Sequence, residues 1–444
     1  MFGPSYLGLP LEIYELIFSF LKLDDLKTCT LVSKEWLDSL EDPVFWRKAV
    51  MVITPESCED LPHSRRVRVM ETVRVGNFES ISSHHQAIRS SLAEISRRED
   101  LALKTLKFSG YKFGVKISLP MDTQTLSLFV KKVVNFDLSM VNLTTEELDA
   151  IFAAVGRRAG DGEKLRSLNL RRSPVSGLSL SPARLAQVVA NNLQELNMSG
   201  TQPSLGQVKE ILTEITTSSR FSLKRLNLAY NPTVSLVPQE LLGEAVSRLS
   251  EVNLSGVNLS TEQIEVIFRA INSTNTDSLE VLSLGKVDMS EVDSRLTGVT
   301  ICKLRSVQLW NTKLNSWQLK EIFQIIHERK DRRLKMLDLE GNDVHSVLPE
   351  TLGKAVLCLK SVDLHNCKVT AEQVDFIFGR LAEVPPPQRT LKNITLTDKE
   401  SVNYKENQSL ALNLNILRGH KMFLITKRFL QFHGLNDKKN WNFL

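Results

Sequence analysis

The chain alternates between two kinds of hydrophobic pattern. Short stretches in which alternate residues are apolar, as in a β-strand, precede stretches in which apolar residues recur every three or four positions, as in an amphipathic helix. The first kind has the form LxxLxL, as in LRSLNL and LKMLDL. It recurs eleven times, starting at Leu103, Val133, Leu165, Leu193, Leu223, Leu249, Leu279, Leu304, Leu334, Leu359 and Leu391. The pattern predicts eleven units, each with one strand and one helix.

Two types of unit alternate along the chain. Between Leu193 and Leu359, alternate starts are 55 or 56 residues apart, whereas successive starts differ by 25 to 30 residues. The longer type places a Ser or Thr before its helix, as in VNLSTEQIEVIFRAI, and occurs at 141–155, 257–271, 312–326 and 367–381. The shorter type carries a Pro that suits the first helical turn and occurs at 234–249 and 344–359. The repeating unit therefore includes one repeat of each type.

A single unit of this kind cannot bury its apolar face, so neighbouring units must stack. The repeats resemble leucine-rich repeats of the long, ribonuclease-inhibitor-like type. The resemblance implies an α/β solenoid over residues 103–396, with a parallel concave sheet and outer helices. One position departs from the family pattern: it is Asn231, Asn342 and Cys367 in three repeats but Val141, Val257 and Val287 in others. We therefore expect an interrupted asparagine ladder.

The N-terminal segment follows a different pattern. Pro10 suits a first helical turn, and Ile13, Ile17 and Leu21 fall on one face of an amphipathic helix. Asp24 and Ser33 suit the caps of two further helices. Residues 9–46, with LPLEI, IFSFL, DDL, LVSKEW and a closing DPVFW, resemble the F-box along its whole length. That resemblance implies a three-helix domain that binds the Skp adaptor of cullin ubiquitin ligases.

A domain of about 40 residues buries little apolar surface, so apolar side chains are expected to remain on its exterior for a partner. The F-box resemblance implies an adaptor-binding set made of Leu9, Pro10, Ile13, Ile17, Phe18, Leu21, Leu26, Leu31, Val32 and Trp46. For Ile17 the alternative is packing within the three-helix core. Both interpretations place the side chain against apolar neighbours.

Charge, cysteine content and hydropathy narrow the class of protein. The formal net charge is +5, most of it in the basic residues 397–444, so the remainder is nearly neutral and no nucleic-acid partner is expected. The five cysteines are scattered and no CxxC occurs, so we expect neither a disulfide framework nor a metal site. No apolar run is long enough to span a bilayer, so no membrane partner is expected. The first segment lacks the basic region and cleavage site of a secretory signal, so the location is predicted to be cytoplasmic or nuclear.

No nucleotide-binding, zinc-protease or serine-hydrolase motif occurs, so the chain is expected to be neither an enzyme nor a cofactor protein. On leucine-rich repeats, residues that flank the strands are displayed on the sheet face. Because Trp, Tyr and Arg dominate binding hot spots, the predicted target-binding residues are Arg171, Arg172, Tyr230, Trp310 and His365. The alternative for the aromatic rings is packing on neighbouring side chains.

Together these patterns divide the chain into an F-box at 1–50, a connector at 51–102 with a degenerate repeat near Met70 to Val75, the repeats at 103–396 and a C-terminal cap or tail at 397–444. The resemblances imply the substrate-recognition subunit of a ubiquitin ligase, with Skp adaptor and cullin as partners and an unidentified protein as target. The alternative is a non-catalytic scaffold or inhibitor with a vestigial F-box.

Overall fold

The protein is described here by a computed structural model. The described residues are 28–29, 31–32, 50–53, 70–75, 81–108, 117–156, 165–177, 179, 181–219, 221–274, 278–329, 333–384, 390–397 and 424–425. Most of the predicted F-box and of the C-terminal segment therefore lies outside the described residues. The chain divides into two compact units, one formed by 1–211 with 219–223 and the other by 212–218 with 224–444.

The first unit contains a parallel sheet in which each strand pairs with the next repeat. Its strands are β1 (Val50–Ile53), β2 (Thr72–Val75), β3 (Thr105–Phe108), β5 (Asn135–Asp137), β7 (Ser167–Asn169) and β8 (Glu195–Asn197). A separate two-stranded parallel ladder joins β4 (Ile117–Ser118) to β6 (Val141–Asn142). Every one of these strand pairs is parallel, and where the structure describes the connection between paired strands of the larger sheet, a helix returns the chain.

The second unit repeats this arrangement with strands of three to five residues and a short final one. Each strand pairs with the next in the order β9 (Arg225–Asn227), β10 (Glu251–Asn253), β11 (Val281–Ser283), β12 (Ser306–Gln308), β13 (Met336–Asp338), β14 (Ser361–His365), β15 (Asn393–Thr397) and β16 (Leu424–Ile425). The strand β16 pairs with β15 from within the predicted C-terminal cap. The rest of that cap, including Phe423, Phe429, Leu430 and Phe432, lies outside the described residues.

Helices follow the strands in both units. They are α1 (Ile81–Arg97), α2 (Thr123–Lys132), α3 (Thr145–Gly156), α4 (Pro182–Asn192), α5 (Leu205–Thr217), α6 (Gln239–Arg248), α7 (Thr261–Ser273), α8 (Ser294–Lys303), α9 (Ser316–Glu328), α10 (Pro349–Cys358) and α11 (Ala371–Glu383). A short 3₁₀ helix spans Pro232–Leu236. Helix α5 contributes residues to both units.

All eleven strands predicted from LxxLxL are present, and β1 and β2 precede them. The strand β2 lies in the segment where a degenerate repeat was expected, and Met70, Val73 and Val75 are buried there. The strand β1 was not predicted. The α/β fold of leucine-rich repeats, with parallel strands and alternating helices, is therefore confirmed.

The core of each unit is built from the strand leucines and from one helical face. In the long repeats a phenylalanine in the third turn of the helix is almost wholly buried, as Phe152, Phe268, Phe323 and Phe378 show. Burial of such a ring stabilises the fold by about 2 to 3 kcal/mol. Each of these residues follows an isoleucine on the same buried face, which explains the recurring Ile-Phe pair in the sequence.

The expected interruption of the asparagine ladder is present. The buried Asn342 side chain donates to the carbonyls of Leu309 and Leu339 at 2.6 and 3.0 Å, and its oxygen accepts from the amide of Leu314. Buried Val257 and Val287 take the equivalent position in other repeats and cannot make such bonds. The ladder therefore stabilises some turns and is absent from others.

Four repeats carry a buried glutamine at the same helix position, Gln207 in the first unit and Gln263, Gln318 and Gln373 in the second, and we name these four residues the glutamine column. Each side-chain oxygen accepts from the backbone amide of the residue that caps its own helix. Each side-chain amide donates to backbone carbonyls in the preceding short repeat; that of Gln373, for example, donates to Val344 and Val347 at 2.8 and 2.6 Å. The glutamine column therefore joins each of these four repeats to the repeat before it by side-chain hydrogen bonds.

Candidate functional site

The sheet face presents its polar side chains in columns because parallel strands keep the same register in every repeat. The third residue of most strands is Asn or Asp, and its side-chain oxygen accepts from the backbone amide two residues later, as in Asn227 to Ala229 and Asn253 to Ser255, both about 3 Å. The same bond occurs at Asp137, Asn169, Asn197, Asp338 and Asp363. These side chains therefore shape the turn that ends each strand as well as facing outward, a role that the sequence analysis did not predict.

Each of those turns contains one residue with left-handed backbone. In the second unit these are Tyr230, Gly256, Lys286, Asn311, Gly341 and Asn366, with φ between 54° and 74°. Left-handed backbone costs a residue with a side chain about 1 to 2 kcal/mol. Tyr230 and Lys286 are held in that conformation by the repeating turn, and both side chains are exposed.

Tyr230, Lys286 and Trp310 form one cluster on the second unit, which we name the aromatic cluster. The Lys286 ammonium nitrogen lies 5.9 Å from the centroid of the Tyr230 ring and 5.3 Å from that of Trp310. The two rings lie on Gly256 and Gly285, where any Cβ atom would overlap with them. Cation–π contacts of this kind contribute about 0.5 to 1 kcal/mol each at exposed sites. Two predicted target-binding residues therefore lie around a lysine that the sequence-based prediction did not include.

The acidic end of the same face begins on the other side of Trp310. Asp338 and Asp363 are register partners on neighbouring strands, and the backbone amides of Leu309 and Asn311 donate to the carbonyls of Asp338 and Glu340. Burial raises the pKa of the Asp338 carboxyl, the amide of Glu340 opposes that shift by donating to it, and the carboxylates of Asp363 and Glu340 raise the pKa further. We name Asp338, Glu340 and Asp363 the carboxylate cluster.

The other predicted target-binding residues lie at the ends of strands. Arg171 and Arg172 follow β7 in the first unit, both are exposed, and the Arg172 side chain runs alongside Gly200. His365 ends β14 in the second unit, and its backbone amide donates to Asp363. Arg171 and Arg172 thus form a basic pair in one unit, while Tyr230, Trp310 and His365 belong to the face of the other.

Of the predicted adaptor-binding residues, only Leu31 and Val32 are among the described residues. Their side chains are 86% and 62% exposed. Both apolar side chains are therefore accessible to a partner. Leu9, Pro10, Ile13, Ile17, Phe18, Leu21, Leu26 and Trp46 lie outside the described residues, so their roles remain predictions.

Two kinds of site are not found in the part of the chain that the structure describes. No group of three or more His, Cys, Asp or Glu side chains there is arranged to hold a metal ion. None of the helices described there is both long and apolar enough to cross a membrane. Cys302 and Cys367 are buried, and burial raises the pKa of the Cys367 thiol to about 12, so this thiol is not a nucleophile at neutral pH.

Comparison with known proteins identifies the N-terminal segment. Residues 6–51 match the family model described as F-box-like. No curated protein matches the chain. Among solved structures, 131 chains match. One of them is the leucine-rich repeat-containing protein LegL7 from Legionella pneumophila, which is 20% identical, with a TM-score of 0.42, over 67% of this chain and 94% of that one. By its family match and by its own strands and helices, the chain carries an F-box-like segment followed by leucine-rich repeats.

Proposed function

We propose that the chain is the substrate-recognition subunit of a Skp-cullin-F-box ubiquitin ligase. The observation that carries the proposal is the F-box-like segment at residues 6–51, which precedes leucine-rich repeats. F-box domains generally bind the Skp adaptor, and proteins of these two families typically act as non-catalytic adaptors. The F-box-like segment would hold the ligase, and the sheet face of the repeats would hold a protein target.

In this role the chain itself performs no bond chemistry. It places a lysine of the target close to the ubiquitin-charged conjugating enzyme, which converts a slow encounter into a reaction between groups held together. The requirements are two binding surfaces and a frame that fixes the distance between them. Leu31 and Val32 would contribute to the first surface, and the aromatic cluster, with its two rings around Lys286, would contribute to the second.

Adaptor binding can be tested without disturbing a core. Leu31→Asp combined with Val32→Asp puts two carboxylates where exposed apolar side chains lie, so the fold should be kept. A carboxylate buried against an apolar adaptor surface without a partner costs several kcal/mol. We therefore expect at least about a hundredfold loss in the affinity of the purified chain for the Skp adaptor, measured by calorimetry or surface plasmon resonance.

Leu236→Asp is the matched control, because Leu236 is 66% exposed on the second unit. It should leave adaptor affinity unchanged.

A second pair, Ile17→Asp with Leu21→Asp, tests the predicted first helix of the F-box. If the native chain retains no adaptor when purified by a tag, the ligase proposal is wrong. A bound target whose abundance in cells does not rise when the proteasome is inhibited would instead support the scaffold alternative.

A further inference from the structure

The sheet face of the second unit changes character across Trp310. On one side of this residue lies the aromatic cluster, with the Lys286 ammonium between two rings. On the other side lies the carboxylate cluster on β13, β14 and the turn after β13. Because the Trp310 indole covers Gly285, it leans away from the carboxylates. The Trp310 ring therefore does not cover the acidic groups, whereas the Asn311 side chain lies on Gly341, next to Glu340.

The carboxylate cluster lacks the cations that accompany other carboxylates of this unit. In the turns that lead to the helices, Asp288 pairs with Lys313 at 2.6 Å and Asp343 pairs with Lys368 at 2.7 Å. The Lys313 ammonium lowers the pKa of Asp288 to about 2. Among the described residues, by contrast, no lysine or arginine forms an ion pair with Asp338, Glu340 or Asp363. Like charges on neighbouring strands destabilise a sheet, so this arrangement costs stability in the free chain.

An apolar side chain lies beside these carboxylates. Met336 is two residues before Asp338 on β13, so both side chains are on the same face of the sheet. Its side chain is 50% exposed, and its register partners on either side are the small residues Ser306 and Ser361. A thioether surface of this kind contacts the aliphatic stem of a long side chain well.

We infer that the sheet face between Trp310 and Asp363 docks an arginine-bearing segment of the protein target. The guanidinium would be held between the carboxylates of Asp338 and Asp363, its aliphatic stem would lie along Met336, and a neighbouring apolar side chain would contact Trp310. Arginine is favoured over lysine because its planar fork of donors can bond two carboxylates at once. The inference rests on the proposed function in taking the occupant of this face to be a protein.

The native sequence supplies a conservative test for these positions. Asn occupies the same column at Asn227 and Asn253, where its side-chain oxygen makes the bond to the turn that Asp338 and Asp363 make in their own repeats. Asp338→Asn and Asp363→Asn should therefore keep the turn while removing the charge. Relief of the repulsion should leave the melting temperature unchanged or higher, so a loss of binding cannot be assigned to unfolding.

The probe is a ten-residue synthetic peptide in which arginine alternates with leucine, compared with the same peptide carrying glutamate in place of arginine. The full chain should bind the arginine peptide at least tenfold more tightly than the glutamate peptide. Asp338→Asn with Asp363→Asn should weaken the arginine peptide at least tenfold. The matched control is Asp288→Asn with Asp343→Asn, which also removes two charges, each from a carboxylate that already has a lysine cation, and it should change the dissociation constant less than twofold.

Two results would overturn the inference: equal affinity for the two peptides, or equal weakening by the control pair at 288 and 343 and by the pair at 338 and 363. Adaptor capture, measured on the same preparations, reports separately on the proposed function. If the adaptor is not retained but the arginine peptide keeps its preference, the ligase role fails and the docking surface stands. If the adaptor is retained but the chain binds the two peptides equally, the ligase role stands and the docking surface is wrong.

Discussion

At the scale of single residues, Gly285 determines where the Trp310 indole can lie. The ring rests on the glycine backbone, and a Cβ at position 285 would overlap with it. We predict that Gly285→Ala displaces the ring and destabilises the second unit by about 1 kcal/mol, near the low end for overpacking because the ring is partly exposed and can move outward. Urea denaturation of the variant and the native chain measures this difference.

The control for Gly285→Ala is the same change in a chain that lacks the ring. In a Trp310→Ala background the added methyl group meets open space, so the second substitution should be neutral or slightly stabilising. The double-mutant cycle should therefore give a coupling of at least about 1 kcal/mol. Additive effects of the two substitutions would show that the ring does not rest on Gly285.

A second residue-scale prediction concerns Glu147. This residue has the same helix position as Gln207, which lies in a later repeat. Its side chain accepts from the backbone amide of Thr144 at 2.7 Å. Burial raises the pKa of the Glu147 carboxyl, and this outweighs the opposing hydrogen bonds from Thr144. In an unfolded chain a glutamate has a pKa of about 4.3. When the pKa is higher in the folded state, the free energy of unfolding decreases as the pH rises above that value and through the folded pKa.

Glu147→Gln should therefore be more stable than the native chain at pH 7, and this advantage should disappear as the pH falls to about 4. Urea midpoints at the two pH values measure the effect. Gln207→Glu is the converse control, because its side-chain amide donates to the carbonyl of Val175 within a buried environment. It should be less stable than the native chain at pH 7. A pH-independent difference for Glu147→Gln would contradict the role of the charge.

At the scale of elements, the short repeats differ in how their helices begin. Helix α8 is capped by Asp293, whose carboxylate accepts from the amide of Leu296 at 2.5 Å. Helix α10 begins after Leu348, which makes no side-chain cap and is 59% exposed. Leu348→Asp should therefore stabilise the second unit by about 0.5 to 1 kcal/mol, through the cap and the positive end of the helix.

Asp293→Leu is the reverse substitution and should cost a similar amount. Thermal melting of the two variants beside the native chain gives both values. A lower melting temperature for both variants would contradict the prediction for Leu348→Asp. It would show that the Leu348 side chain stabilises the fold by packing, despite its exposure.

The position of most elements could be predicted from the sequence because each strand repeats one local pattern. The helix of the repeat at 257–271 was expected from the caps and the apolar spacing, and α7 spans Thr261–Ser273. The strand β1 was missed because its segment, VMVI, lacks the LxxLxL spacing. The bonds of Gln263 to Ser235 and Val237 could not be foreseen, because they join residues 28 and 26 positions apart.

At the scale of the whole molecule, sequence reasoning located the face of the repeats but only part of its chemistry. It singled out Tyr230 and Trp310 by residue type, yet it did not include Lys286 among the predicted target-binding residues. The carboxylate cluster was overlooked because Asp338 and Asp363 are 25 residues apart and meet only through strand register. Residue type indicates what a surface can bind, whereas the register of the sheet decides which side chains act together.

The glutamine column has a consequence for how such a chain can grow or shrink by gene duplication and loss. Each glutamine belongs to a long repeat, while the carbonyls that it serves belong to the short repeat before it. Loss of one repeat would leave buried carbonyls without donors, at a cost of about 1 to 3 kcal/mol for each group. Gain or loss of about 55 residues would preserve every such pairing, so selection should favour inheritance of the repeats in pairs.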